Sequence, residues 1–142
     1  MQKSFGHYIR YINEGLKNNF NSLLAKEELT SQQAFIILYI INNKDEEINQ
    51  KKLEEVFELK SSTISGLLKR LEIKGMISKE ISKSDNRNKV IKCTKKAYQL
   101  KDILDTNKML LEKKLLHGLT DVEITNFWNV LIKIKNNIKE ME

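Results

Sequence analysis

Small hydroxyl and basic side chains recur on one face of a short predicted helix. The apolar residues between positions 61 and 73 follow helical spacing, which predicts a buried face. The opposite face then carries Ser62, Ser65, Gly66 and Lys69. Small hydroxyl side chains allow a helix to approach a duplex closely, and Lys69 and Arg70 can neutralise phosphates. The alternative is an ordinary amphipathic helix whose polar face is solvated.

A second charged group surrounds a turn-rich segment, residues 84–88. It consists of Lys83, Arg87 and Lys89 around Asp85. Arginine suits a narrow minor groove, where the negative potential of DNA is enhanced. Asp85 stands two residues before Arg87, so we expect its carboxylate to hold the Arg87 guanidinium in a fork-like pair. The alternative is a solvated turn with an incidental ion pair.

Positive charge is concentrated in the part of the chain that holds both groups. The 142 residues have a net charge of +6. Residues 60–96 contribute nine lysines and two arginines against three acidic residues, a net +8, and the remainder carries −2. Localised charge, unlike net charge alone, indicates a polyanionic partner.

Hydrophobic periodicity predicts the helices that precede these groups. One long helix is expected from about Phe5 to Leu24. A second helix opens at a capping box formed by Thr30 and Gln33. A short third helix, about residues 50–57, follows Asn49 as its N-cap. A tight turn then leads into the helix that carries the hydroxyl and basic face.

The fourth helix and the segment after it complete a helix-turn-helix with a β-hairpin. Ser61 is expected to cap this helix, and Gly75 to end it in the left-handed conformation. Residues 77–82 alternate like a strand with one buried face, and residues 90–93 suit the return strand. This order predicts a winged helix-turn-helix.

Two long helices are predicted to complete the chain. Thr94 is expected to cap the fifth helix, which ends near Gly118, and Thr120 and Glu123 form a second capping box. The apolar residues of the fifth helix fall on two stripes, which a monomer would expose. The predicted fold class is therefore mainly α with a small β-hairpin wing (α+β), in which long helices form a dimerisation part.

Several classes of protein are excluded or disfavoured by the composition. The longest apolar run, Ala34 to Ile41, is too short to span a membrane. A single cysteine excludes an intramolecular disulfide framework. No nucleophile–base pair, phosphate loop, paired carboxylates or metal-ligand spacing occurs, so we expect no enzyme, no cofactor and no metal. With no apolar signal segment in the sequence, we expect a cytoplasmic protein.

The order and spacing of short motifs resemble the MarR family of bacterial winged-helix repressors. The resemblance extends from about residue 29 to 100. It is carried by Leu29-Thr30-x-x-Gln33, Leu53 through Leu59, Ser61-Ser62-Thr63-Ile64-Ser65, Lys69-Arg70-Leu71-Glu72-x-x-Gly75-Met76-Ile77, Ser84-Asp85-Asn86-Arg87 and Ile91-Lys92-Cys93-Thr94.

The resemblance implies how the chain is organised and what it does. The length of 142 residues predicts a single domain, 1–142. Within it the resemblance implies a DNA-binding part at 30–97 and a helical dimerisation part at 1–29 and 98–142. It also implies a homodimer that binds double-stranded DNA at a pseudo-palindromic operator as a repressor. A small ligand or oxidation would relieve the repression. The expected DNA-binding residues are Ser61, Ser62, Thr63, Ser65, Gly66, Lys69, Arg70, Lys83, Asp85, Arg87 and Lys89.

Four positions depart from the pattern of the resembled family: Gly66, Lys79, Asn86 and Ala97. Two of them bear directly on DNA binding. Gly66 stands where arginine is common on the recognition helix, and Asn86 replaces a second basic residue of the wing. Both departures remove side chains that would read or hold DNA. They favour the alternative function, a winged-helix module that binds a protein partner and no DNA.

Two further groups have residue types that could sense a ligand or an oxidant. Tyr8, Tyr11, Phe35 and Tyr39 would line the cleft where members of the resembled family often bind aromatic acids, and the alternative is core packing. Cys93 is expected to be an inert buried thiol, because a redox sensor needs an exposed thiolate of low pKa.

Overall fold

The helices and strands follow the order predicted from the sequence. The structure is a computed structural model and describes residues 4–141. The elements of this range are α1 (Phe5–Lys26), α2 (Ser31–Asn42), α3 (Gln50–Phe57), α4 (Ser61–Ile73), β1 (Ile77–Ile81), β2 (Lys89–Cys93), α5 (Lys95–Leu115) and α6 (Asp121–Lys139). The predicted fold class, a mainly α winged helix-turn-helix with a two-stranded hairpin, is confirmed.

Side-chain caps start three of these helices as predicted. Thr30 Oγ1 accepts from the Gln33 N–H at 3.3 Å, and Gln33 Oε1 accepts from the Thr30 N–H at 3.0 Å. Thr120 and Glu123 form the same reciprocal box at α6. Asn49 accepts from the Lys52 N–H at 2.8 Å and so caps α3. Each cap satisfies a backbone donor that the first helical turn leaves unpaired.

Two predicted caps have other partners. Lys60, not Ser61, is the N-cap of α4, and α4 has no side-chain cap bond. The Ser61 hydroxyl instead accepts from Gln50 Nε2 at 3.3 Å, which links the starts of α3 and α4. The Thr94 hydroxyl donates to the Gly75 carbonyl at 2.6 Å and so links the start of α5 to the end of α4.

The buried core lies among α2, α3, α4 and the hairpin. Its largest fully buried side chains in this region are Ile36, Ile37, Ile48, Leu53, Ile64, Leu68 and Leu71. Leu24 at the end of α1 and Leu100 on α5 are also fully buried. Burying such aliphatic side chains is the main favourable term in folding, so this core fixes where α4 and the hairpin stand.

The hairpin is an antiparallel ribbon whose buried face is smaller than predicted. Its register pairs Ile77 with Cys93 and Ile81 with Lys89. Only Ile77 of β1 is buried, and Ile81 is 68% exposed. The expected buried face of β1 is therefore wrong, because Ile81 pairs near the open end of the ribbon, where the strands have left the core. Lys79, between them, pairs with Glu72 of α4 at 3.5 Å.

The chain divides into two compact units, Met1–Lys101 and Asp102–Glu142, and the division falls within α5. The first unit holds α1 to α4 and both strands. The second holds most of α5 and all of α6, joined by a turn in which Gly118 has φ +83°. None of the helices within residues 4–141 is long and apolar enough to cross a membrane.

Candidate nucleic-acid interface

Helix α4 has one face in the core and one in solvent. Its buried residues are Ile64, Leu67, Leu68 and Leu71. Ser62, Ser65 and Lys69 are exposed, and Gly66 between them is half-buried. The predicted hydroxyl and basic face therefore faces solvent, and Ser61, Thr63 and Arg70 are exposed beside it.

The turn before α4 is short because one residue reverses the chain. Glu58 has φ +52°, in the left-handed region, and its N–H bonds the Glu54 carbonyl. The Leu59 N–H then bonds the same carbonyl at 3.2 Å. Such a C-terminal turn satisfies the last carbonyls of α3 and redirects the chain into α4. The close succession of α3 and α4 defines a helix-turn-helix.

The loop that joins β1 and β2, residues 82–88, forms the tip of the wing. Asp85 organises it through the main chain: its Oδ1 accepts from the Arg87 N–H at 2.9 Å. Its Oδ2 accepts from Asn88 Nδ2 at 3.1 Å. The expected fork between Asp85 and the Arg87 guanidinium is therefore wrong. Both carboxylate oxygens hold the turn, which is a common local role for aspartate.

The charged residues of the wing are all exposed. Lys83, Asp85, Arg87 and Lys89 lie at or beside the tip. Within residues 4–141, no ion pair joins Arg87 to an acidic side chain. An exposed guanidinium on a loop with a fixed main chain is available to an anionic partner.

A groove connects the helix-turn-helix to the wing. It encloses about 390 Å³ and is lined by the start of α3, by Leu68 of α4 and by the ribbon. Lys51, Lys79 and Lys89 contribute three positive charges to its lining, against Glu54 in the lining and Glu72, which pairs with Lys79. The α3 start and the wing therefore border one predominantly basic surface.

Sequence reasoning missed Glu47, which lies between α2 and α3 and bonds the wing tip. Its Oε2 accepts from the Ser82 hydroxyl at 2.7 Å and from the Ser84 hydroxyl at 2.9 Å. These bonds, with the Lys83 main chain and the charge of Lys92, hold the pKa of Glu47 below its usual value. Because Glu47 and Ser82 are 35 positions apart, no local spacing pattern could have paired them.

A second cavity, of about 480 Å³, lies on another side of the hairpin. Its apolar lining includes Ile40, Ile48 and Val90, and Cys93 also borders it. Burial raises the pKa of the Cys93 thiol to about 12, and its sulfur lies 3.7 Å from the Ile37 carbonyl oxygen. A thiol with so high a pKa is protonated near neutral pH and is a poor nucleophile.

The four aromatic residues proposed for a ligand pocket occupy α1 and α2. Tyr8, Tyr11 and Phe35 are each at least half exposed, and Tyr39 is partly buried. Phe35 stacks on Phe20 with ring centroids 5.6 Å apart, and Tyr39 meets Phe57 edge-on at 5.8 Å. Neither of the two cavities described here is lined by Tyr8, Tyr11, Phe35 or Tyr39.

The exposed face of α4, the adjoining wing and the basic groove define a winged helix-turn-helix protein. Comparison with known proteins agrees with this class: the model of the MarR family matches residues 29–89. The transcription regulator MarR from Oenococcus oeni PSU-1 is 31% identical, with 94% of this chain and 99% of that chain covered and a TM-score of 0.63. The chain belongs to the MarR family of transcription regulators.

Two further structures extend this comparison. A MarR family transcriptional regulator from Clostridium acetobutylicum is 31% identical over 94% of this chain and 97% of that chain, with a TM-score of 0.80. A mutant of MepR from S. aureus shares the fold at a TM-score of 0.89 and 20% identity, over 96% of this chain and 99% of that chain. MepR has also been solved with DNA and with ethidium bromide.

Proposed function

We propose that this protein is a homodimeric, sequence-specific DNA-binding transcriptional repressor. Each subunit places α4 in a major groove and the wing tip in the flanking minor groove of a pseudo-palindromic operator. Binding excludes the transcription machinery and uses no catalytic chemistry, metal or cofactor. A protein with this role acts in the cytoplasm, where a bacterial chromosome is found.

The observation that carries this proposal is the solvent-facing side of α4. Ser62, Ser65 and Lys69 stand opposite four buried aliphatic residues, so the core itself turns this face outward. Hydroxyl and basic side chains on such a face suit base edges and phosphates. MepR, which shares this fold, has been solved bound to DNA, and this supports the same role for the present chain.

The proposed DNA-binding residues divide into two groups by position. The first group is on α4 and comprises Ser61, Ser62, Thr63, Ser65, Gly66, Lys69 and Arg70. The second is on the wing and comprises Lys83, Asp85, Arg87 and Lys89. Asp85 acts by shaping the turn, and Arg87 enters the minor groove, where a narrow groove attracts arginine.

Exposed apolar surface supports the homodimer. Phe5, Tyr8, Ile9 and Ile12 of α1 are each at least 43% exposed. On α6 no residue is buried, and Phe127, Trp128, Val130, Ile132 and Ile138 are exposed. Apolar side chains in such number mark a protein interface. We assign residues 1–29 and 98–142 to dimerisation and 30–97 to DNA binding.

A small aromatic ligand is proposed to relieve repression. Tyr8, Tyr11 and Phe35 present exposed rings on which a planar molecule can stack, and Tyr39 lies on the same helix as Phe35. The structure of MepR with ethidium bromide supports a ligand of this chemical class. The four rings are the proposed lining of the ligand site.

Selection of duplexes from a random-sequence pool, followed by mobility-shift titration, tests the proposed function. We expect enriched inverted repeats and an affinity that falls steeply as salt rises, because bound lysines and arginines release counterions. A folded dimer that binds no duplex at low salt would overturn the proposal. That result would favour a winged-helix module with a protein partner.

A further inference from the structure

The wing tip lacks an apolar anchor of its own. Residues 83–89 are all exposed, and within 82–88 only Ser82 is buried, at 4% exposure. Pairing between β1 and β2 joins the two strands to each other, and the Ser82 N–H bonds the Asn88 carbonyl at 2.9 Å. A two-stranded ribbon is marginally stable by itself, so its direction depends on how the protein body holds it.

The segment between α2 and α3 holds the ribbon at two successive points. The Ile91 N–H donates to the Ile48 carbonyl at 2.7 Å, and Ile48 is 1% exposed. The neighbouring residue, Glu47, reaches further along the ribbon and bonds Ser82 and Ser84 at the base of the tip. The backbone bond fixes the middle of the ribbon, and the carboxylate is placed to fix its end.

Ser82 connects Glu47 to the main chain of the tip. While its hydroxyl donates to Glu47, its oxygen accepts from the Ser84 N–H and the Asp85 N–H, each at 3.2 Å. Asp85 in turn bonds the Arg87 N–H. A continuous set of hydrogen bonds therefore joins Glu47 to the main chain of Arg87. A charged acceptor strengthens such a set, and removing it leaves the Ser84 hydroxyl, 3.0 Å away, as the neutral alternative partner of the buried Ser82 hydroxyl.

We propose that Glu47 is a positioning residue of the DNA-binding site, which acts through Ser82 and Ser84 to hold the wing tip in the orientation that presents Arg87. This role rests on the proposed function and deepens it. Glu47 itself does not touch DNA. Glu47 holds the tip in place in the free protein, so that the tip does not have to become ordered when DNA binds.

The direction in which DNA affinity changes when Glu47 is substituted distinguishes a positioning role from a purely electrostatic effect. Removing a negative charge near a DNA-binding surface tightens binding when charge alone matters. Loss of a positioning contact weakens it. We expect Glu47→Ala to bind a duplex selected with the wild-type protein about 10-fold more weakly, and Glu47→Gln, which keeps one acceptor oxygen, about 3-fold more weakly.

Glu46→Ala is the matched control. Glu46 is an exposed neighbour on the same segment, and its N–H bonds the Asn43 carbonyl. We expect its affinity for the same duplex to be unchanged or slightly increased. The double variant Ser82→Ala/Ser84→Ala should reproduce the loss, and adding Glu47→Ala to it should weaken binding no further.

Hydrogen exchange provides a readout that needs no DNA. In Glu47→Ala the amides of Ser84 and Asp85 should exchange faster, while amides in α2 and α4 keep their protection. If the wild-type protein binds DNA and Glu47→Ala binds as tightly as Glu46→Ala, with unchanged exchange at the tip, the positioning role is wrong. If no variant binds DNA, the proposed function fails, and faster exchange at the tip alone would still support the contact.

Discussion

Arg87 is exposed on a loop whose main chain is held by Asp85. This arrangement leaves the guanidinium available for a groove or a phosphate. We expect Arg87→Ala to weaken binding about 10-fold, with similar losses across different duplexes, because a groove contact of this kind carries little sequence information. The salt dependence should become shallower by about one released counterion.

Arg10→Ala is the matched control for this titration. Arg10 is exposed on α1, outside the proposed DNA-binding residues, and its replacement removes the same charge. Because α1 belongs to the proposed dimerisation part, this variant is first checked to be dimeric by light scattering. It should then leave the affinity and the salt dependence near wild-type values. An Arg87→Ala affinity equal to that of Arg10→Ala would remove Arg87 from the interface.

Gly66 lies within α4 at a position where neither the backbone conformation nor the surrounding space requires a glycine. A Cβ added there would meet no atom within 4 Å, and Gly66 does not have positive φ. Alanine is favoured over glycine inside a helix, so Gly66→Ala should raise the free energy of unfolding by about 0.5–1 kcal/mol. Urea denaturation at fixed protein concentration measures this difference.

Gly75→Ala should change stability in the opposite direction. Gly75 has φ +70°, a conformation that strains any residue with a Cβ, although the space around it is open. We expect a loss of about 1 kcal/mol in the same experiment. Destabilisation by Gly66→Ala would show that the exposed face of α4 is less open than described.

At the scale of elements, we expect the hydrogen bonds of Glu47 to make the wing tip sensitive to acid. Bonds from the Ser82 and Ser84 hydroxyls are the main causes that lower the pKa of Glu47, and the Lys83 main chain and Lys92 act in the same direction. Because this pKa is lowered, the bonds from Ser82 and Ser84 to the Glu47 carboxylate are fully present above the ordinary value of 4.5. They are lost as the pH falls through the lowered pKa of Glu47.

Amide chemical shifts of the tip report this titration. The Ser84 and Asp85 amides should be constant from neutral pH down to about 4.5 and should then shift with an inflection below that value. The difference between the wild-type and Glu47→Gln shifts isolates the contribution of Glu47 and should carry this inflection, since the substituted side chain does not titrate. An inflection at or above 4.5 in the wild-type protein would contradict the assigned cause.

Local sequence patterns predicted the helices and strands, but they could not predict contacts between segments that are distant in the sequence. The Thr30–Gln33 box is readable because both partners lie within one helical turn. Ser61 has the residue type of a cap but bonds Gln50, a preference that depends on how α3 meets α4. Asp85 stands near Arg87 in sequence, yet the turn geometry directs its carboxylate to backbone and amide donors.

The part of the candidate site that lies on a single helix could be predicted from the sequence. The exposed face of α4 follows from helical periodicity and the buried Ile64, Leu67, Leu68 and Leu71. The contribution of Glu47 could not be predicted, because it depends on the packing of the α2–α3 segment against the hairpin. The exposure of Ile81 was missed for a related reason, since alternation does not reveal where a ribbon leaves the core.

At the scale of the whole molecule, the exposed apolar residues of α1 and α6 are the basis of the proposed homodimer. We expect a homodimer at micromolar concentration, with twice the mass of one chain by light scattering. Trp128→Lys should weaken the dimer, because Trp128 is a large exposed apolar side chain on a helix with no buried residue. Lys133→Ala on the same helix is the control and should remain dimeric. A wild-type monomer would contradict the assignment of these helices to dimerisation.

Hydroxyl-radical footprinting on a selected duplex tests most directly whether two winged helices bind DNA together. With α4 in the major groove and the wing tip beside it, the dimer should protect two half-sites whose centres are about 10 base pairs apart or a multiple of that spacing. Flanking minor-groove protection should disappear in Arg87→Ala. A folded dimer that leaves every selected duplex unprotected at low salt would contradict DNA binding.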